Sequence, residues 1–147
     1  MTGARVVGSL SPTGQLLRKF TAGGTFAEGD FVKLQGTTGE IVIATGGDAI
    51  LGVAMEAGVD GSEAYVNITP KMLVIMDNDL DSDTFAATDE LQFADIIGAT
   101  GAQQVDTSSH SATVAQLMCL GYNPKGYGLD SDTSIGLYLV TERTTGY

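Results

Sequence analysis

Residues 24–68 constrain this chain most, because GDFVKL, GEIVIAT, AILGVAME and EAYVNI follow one another with only glycine-rich turns between them. Strand-sized apolar segments so closely spaced leave no room for a helix or a large loop, and this part of the chain reads as scaffold. Alternation agrees: Val32 and Leu34 are expected on one side of a sheet, Phe31 and Lys33 on the other. Gly46-Gly47 and Asp60-Gly61 supply the positive φ angles that tight hairpin turns require, and Gly36 and Gly39 bracket a longer loop.

The rest of the sequence fits the same class. A chain of 147 residues is expected to form one domain with its own core. Twenty glycines, no tryptophan and only 17% charged residues favour many turns and short strands over long helices. The fold class is therefore all-β: a single small β-barrel or β-sandwich with an extended N-terminal arm. Eighteen acidic against seven basic residues give a net charge of −11, which repels nucleic acid and anionic membrane surfaces alike. No apolar run approaches the ~18 residues of a membrane span, Met72-Leu-Val-Ile-Met76 being the longest. The opening MTGARVVGSLSPTG lacks the apolar core of a secretion signal, so synthesis in the cytoplasm is expected.

Residues 1–24 are expected to form the arm, which Ser11-Pro12-Thr13-Gly14 interrupts and which carries Arg5, Arg18 and Lys19, three of the seven basic residues. A plainer reading is a frayed terminus with a short strand over 15–20. Residues 25–147 form the β domain, with a weak internal repeat over about 26–76 and 86–142. Residues 30–34 correspond to 90–93, Leu51-Gly52-Val53 to Leu120-Gly121-Tyr122, and Ala64-Tyr65-Val66 to Leu137-Tyr138-Leu139. The repeat favours a strand near 91–93 over an amphipathic helix across 88–97. Further strands are expected over 114–122 and 135–142, joined by a turn-rich connection over 123–133. In the last strand Ile135, Leu137 and Leu139 share a face, with Tyr138 and Val140 opposite, so burial on both sides is expected, between packed sheets or at a subunit contact. Pro70 marks a strand end, bulge or edge.

Little in the sequence points to chemistry. The single cysteine, Cys119, excludes an internal disulfide or a zinc site of several thiolates, and its apolar neighbours suggest a small buried hydrophobe. The only histidine, His110, sits in a polar loop by composition, and nothing in the spacing indicates that the two meet. The richest set of side-chain oxygens is Asp77-Asn-Asp-Leu-Asp-Ser-Asp83. Counted from Asp79, carboxylates fall at the first, third and fifth positions with Glu90 at the twelfth, as in a calcium loop. Thr84 stands where the sharp turn needs glycine, and the preceding residues read as strand, so a solvated acidic loop is expected. Asp79, Asp81, Asp83 and Glu90 remain the only weak metal candidates. No aromatic platform accompanies the acids as a sugar site requires, no phosphate-binding glycine motif occurs, and the serines around His110 form no nucleophile elbow. Neither an enzyme nor a cofactor is expected.

In Gly29-Asp30-Phe31-Val32-Lys33-Leu34 followed by Ile50-Leu51-Gly52-Val53-Ala54, the order of strand starts resembles the small capsid decoration, or head cement, proteins of tailed bacteriophages. Leu120-Gly-Tyr-Asn-Pro124 and Gly136-Leu-Tyr-Leu-Val140 are similar to the last hairpin of that family. The resemblance covers the chain from about Phe20 onward. It implies a structural protein on the outer surface of the virion, which binds an expanded icosahedral head, often as a homotrimer, and resists internal pressure. The implied partners are the major capsid protein and further copies of this chain. Because the arm commonly makes the shell contact, Arg5, Arg18, Lys19 and Phe20 are the corresponding candidates by position. The acidic stretch over 77–95 departs from the family. An alternative is a virion fibre or adhesion module whose acidic loop over 79–90 binds calcium.

Overall fold

A computed structural model describes residues 3–11, 14–79, 87–122 and 135–144. After β1 (Arg5–Ser9), the consecutive strands β2 (Leu17–Thr21), β3 (Phe31–Leu34), β4 (Ile41–Ile43), β5 (Gly52–Ala54) and β6 (Glu63–Asn67) form one five-stranded antiparallel sheet in the order β2-β6-β5-β3-β4. A parallel bridge between Ala22 and Ile41, with the Gly23 N–H donating to the Ile41 carbonyl at 2.8 Å, joins the two edges of this sheet. The sheet thereby curls into a small barrel.

The chain then adds β7 (Met72–Asp77), β8 (Phe93–Ala94), β9 (Ile96–Ile97), β10 (Gln104–Val105), β11 (Leu117–Tyr122) and β12 (Ile135–Val140). Strands β1, β7, β12, β11 and β8 make a second five-stranded antiparallel sheet in that order, while β9 and β10 pair with each other. The fold is all-β, two sheets packed face to face. The strands that carry the corresponding segments of the two halves are neighbours in the same order, β3-β5-β6 in one sheet and β8-β11-β12 in the other.

Period-two alternation sends neighbouring residues of the barrel sheet into different cores. Phe31 and Val53 meet Met72, Val74, Met76, Leu117 and Tyr138 of the second sheet, while Val32, Ala54, Ala64 and Val66 line the barrel interior with Phe26, Ile41 and Leu51. Buried side-chain amides tie the layers together. Gln103 accepts from the Phe31 N–H at 2.6 Å and donates to the Ala44 carbonyl at 2.9 Å. Gln116 accepts from the Ile96 N–H at 2.9 Å and donates to the Thr45 and Asp48 carbonyls, each at 2.8 Å. Burial without partners would cost each amide more than its bonds return, and both ends of each are matched. Gly52 is required by a close approach: a Cβ there would lie 2.1 Å from the Asn67 carbonyl oxygen of the adjoining strand.

Two expectations are corrected. The described residues of the segment 1–24 do not extend away as an arm. Arg5–Ser9 pairs with β7, Leu17–Thr21 pairs along its length with β6, and Val6 packs on the interlayer core. Backbone groups and apolar side chains in these segments thus find partners within the domain. The strand expected near 91–93 begins only at Phe93, after a 3-10 turn over Ala87–Asp89. Leu91 adopts φ 63° and is exposed, and its N–H donates to the Cys119 carbonyl at 2.8 Å. That bend takes it out of the sheet. The connection expected over 123–133 lies outside the described residues.

Candidate functional site

The barrel sheet presents one face to the second sheet, but β2 and the start of β6 run past its cover. Leu17, Lys19 and Thr21 pair across with Asn67, Tyr65 and Glu63, so these side chains share that face. There Leu17 is 47%, Tyr65 45% and Met55 39% exposed. The Met55 N–H donates to the Tyr65 carbonyl at 2.9 Å, and the Tyr65 N–H donates to Glu56 Oε1 at 2.9 Å, which fixes the backbone under the patch. Lys19 Nζ lies 5.2 Å from the centre of the Tyr65 ring and 3.5 Å from Glu63 Oε2. That exposed ion pair contributes little to stability, but it orients a cation over an aromatic face. The result is an apolar patch with Lys19, Glu63 and Glu56 at its rim, on a strongly acidic protein.

The structure divides the expected contact residues. Lys19 belongs to this face. Arg18 and Phe20 point to the other side of β2, opposite Val66 and Ala64, where Phe20 packs on the barrel core and the Arg18 guanidinium lies 5.1 Å from its ring centre. Arg5 lines a cavity of about 320 Å³ together with Val53, Met55 and Asn67, so it adjoins the patch that Lys19 rims. Arg5 and Lys19 thus lie on the side of this patch, and Arg18 and Phe20 lie on the other face of β2.

Of the weak metal candidates, Asp81 and Asp83 lie outside the described residues. Asp79 Oδ1 accepts from the Thr107 N–H at 3.1 Å and from its hydroxyl at 2.6 Å, so it anchors the turn over Thr107–Ser109. Glu90 is exposed. Among the described residues no three histidine, cysteine or carboxylate side chains gather where they could hold a metal ion.

A second constellation was not foreseeable from spacing. His110 is not in an open polar loop: its side chain is 7% exposed and its ring stacks on Tyr138 with centroids 6.3 Å apart. The Tyr138 hydroxyl is 3.3 Å from His110 Nε2 and 3.4 Å from Asn78 Oδ1. His110 Nδ1 lies 3.2 Å from the Thr107 carbonyl and 3.8 Å from Asp89 Oδ1. Cys119 packs against the same tyrosine, so the one cysteine and the one histidine do meet, through Tyr138. Burial pushes the Cys119 thiol up, with the Asp89 and Glu90 charges adding to it against weaker opposing hydrogen bonds. Burial likewise raises the Tyr138 phenol. A thiol held protonated and fully buried is a poor nucleophile. The cluster works as polar packing within the core.

Comparison of the chain with protein-family models and with curated protein sequences yields no match.

Proposed function

We propose that this protein is a structural virion protein, a decoration protein that binds the outer surface of an expanded icosahedral phage head and stabilises it. The observation that carries the reading is the uncovered Leu17–Tyr65–Met55 patch, rimmed by Lys19 and Arg5, on a rigid all-β body of net charge −11. A contiguous apolar patch with a polar rim is how a soluble domain presents a partner surface, and the aromatic at its centre is the residue type that most often dominates such contacts. The motif resemblance supplies the partner, the major capsid protein. Its strand starts fall at structurally decisive points: Asp30 is buried and accepts from the Ala27 N–H at 2.8 Å, and Gly52 opens β5.

The protein is further proposed to act as a homotrimer. Leu73 and Leu139 stand opposite one another, as do Ile75 and Leu137, on the face of the second sheet turned away from the interlayer core, where the three leucines are only half-buried. Light scattering should then give a mass near three times 15.2 kDa. The docking test is cosedimentation with undecorated expanded heads. Leu17→Ser with Tyr65→Ser should keep the thermal transition and lose binding. Undiminished binding by that folded double variant would place the contact elsewhere and remove the basis of the reading. Arg5→Gln with Lys19→Gln should weaken binding more at low salt than at high salt, as screened attraction requires.

A further inference from the structure

The edge of the barrel sheet beside the patch is open along β2. This strand ends the order β2-β6-β5-β3-β4, and its register with β6 sets Leu17 opposite Asn67 and Lys19 opposite Tyr65. In the same register the Ala22 N–H donates to the Ser62 carbonyl at 2.7 Å and the Ile68 N–H donates to the Leu16 carbonyl at 2.8 Å. Antiparallel ladders bond at alternate residues, so Arg18 and Phe20 turn their backbone groups to β6, and the N–H and C=O of Leu17 and Lys19 turn outward. Tyr65 follows the same alternation from the other side. Its carbonyl accepts from Met55 and its N–H donates to Glu56, both away from β2. The bridge of Ala22 with Ile41 closes the barrel seam just beyond the strand, and no described strand lies along Leu17 and Lys19.

We infer that this edge accepts an extended segment of another protein as an added antiparallel strand, with acidic residues opposite Arg18 and Lys19. In strand addition the backbone bonds give affinity, and side chains alternating on the two faces give specificity. Arg18 and Lys19 are two of only seven basic residues in a chain of net charge −11, both are exposed, and one stands on each face of the edge. Opposite charges directly across a strand pair attract and like charges repel. A second copy therefore fits poorly, because self-pairing centred on Arg18 or on Lys19 sets that cation against itself. An apolar residue opposite Leu17 would extend the surface that Leu17, Tyr65 and Met55 begin. That the shell donates the strand rests on the decoration reading, whereas the strand addition itself does not.

The probe is the peptide acetyl-Thr-Val-Glu-Asp-Val-amide, which in antiparallel register sets its last valine opposite Leu17, its aspartate opposite Arg18 and its glutamate opposite Lys19. The blank is the same peptide N-methylated at the glutamate and the last valine, the two amides that face β2. In the full-length ¹⁵N-labelled protein the Leu17 and Lys19 backbone amides should shift saturably, with a Kd on the order of 1–10 mM. The neutral peptide with glutamine and asparagine should bind about fivefold weaker at low salt. Lys19→Pro removes an outward N–H and leaves the β2–β6 bonds in place, so it should fold and bind the peptide at least about tenfold more weakly. Lys19→Ala, which keeps that N–H, should lose only about two- to threefold. Equal binding of the N-methylated peptide, or no saturable shift at Leu17 and Lys19, would overturn the edge as a site even if Lys19→Pro fails to fold. On heads, folded Lys19→Pro should lose the cosedimentation that Lys19→Ala retains. Undiminished head binding by folded Lys19→Pro would overturn strand addition as the shell contact and leave the decoration reading standing. Peptide binding by a parent protein that never binds heads would leave the edge standing and sink that reading.

Discussion

Replacing Gly52 with alanine puts the packing of β5 on β6 to a direct test. The added Cβ would start 2.1 Å from the Asn67 carbonyl oxygen and 2.9 Å from a Val66 methyl. An ordinary carbon-oxygen contact is about 3.3 Å or more, so β5 must move by roughly 1 Å away from β6. Val53 pairs with Asn67 and Ala54 with Val66, and a shift of that size takes their hydrogen bonds past useful length. Two net bonds at about 1 kcal/mol each, plus overpacking of about 1–3 kcal/mol, give a loss near 3–5 kcal/mol. In a domain of this size each kcal/mol moves Tm by about 2–4 °C, so Gly52→Ala should lower Tm by about 6–20 °C. The assay is calorimetry at neutral pH with Gly8→Ala as the control, since a Cβ at Gly8 meets only a Leu73 methyl at 3.9 Å. If Gly52→Ala melts within about 2 °C of the parent while keeping its sheet signature, the claimed close approach is wrong.

Three further outcomes are expected. Burial alone would raise the Asp48 carboxyl, but Lys33 at 2.8 Å and the Thr45 N–H and hydroxyl outweigh it and hold the pKa below the ordinary 3.8. A depressed carboxyl contributes stability above its unfolded value and loses it as pH falls through the folded one. The Tm gap between the parent and Asp48→Asn should therefore be open at pH 7, shrink as pH drops through about 4, and vanish below the folded pKa; a gap that widens on acidification would refute the assignment. Cys119, fully buried and with its thiol raised, should resist Ellman's reagent in the native protein at pH 8 and react at once in guanidinium; fast native labelling would show that the cluster opens. Tyr138→Phe removes the hydroxyl shared by His110 and Asn78 and should cost about 1–2 kcal/mol in denaturant titration, whereas a neutral result would mean those contacts carry no net stability.

Much of the fold was legible because its determinants are local. Alternation at Phe31 and Val32 correctly separates two faces, Gly47 and Gly61 do adopt positive φ, and the last strand starts at Ile135 with Tyr138 and Val140 turned to the core. What local pattern could not carry is pairing over distance. Residues 1–24 looked like an arm because their strands bind β7 and β6, dozens of residues away, and neither segment shows its partner. Asn67 reads in sequence as the polar end of a strand, and only the register with Leu17 and Val53 shows that it is buried at a cavity. That His110 and Cys119 share Tyr138 depends on the register of β11 with β12, which sets Cys119 beside Tyr138, and on the turn over Thr107–Ser109 that brings His110 to the same hydroxyl, and neither leaves a trace in spacing. One signal was available for the split of the contact residues: in a strand, Arg18 and Lys19 must face opposite ways.

The order of strands along the chain also sets an order in time. All the barrel strands are consecutive, so each can pair as soon as its neighbours have been made, whereas β1 belongs to the sheet completed last. Roughly 60 residues must be synthesised between β1 and its partner β7, a wait on the order of 3–12 s at about 5–20 residues per second. For that interval Val6 and Val7 travel unpaired ahead of a barrel that is already closing. The first strand to leave the ribosome is thus seated only when about half of the chain has been made, on a partner whose other edge still awaits β12.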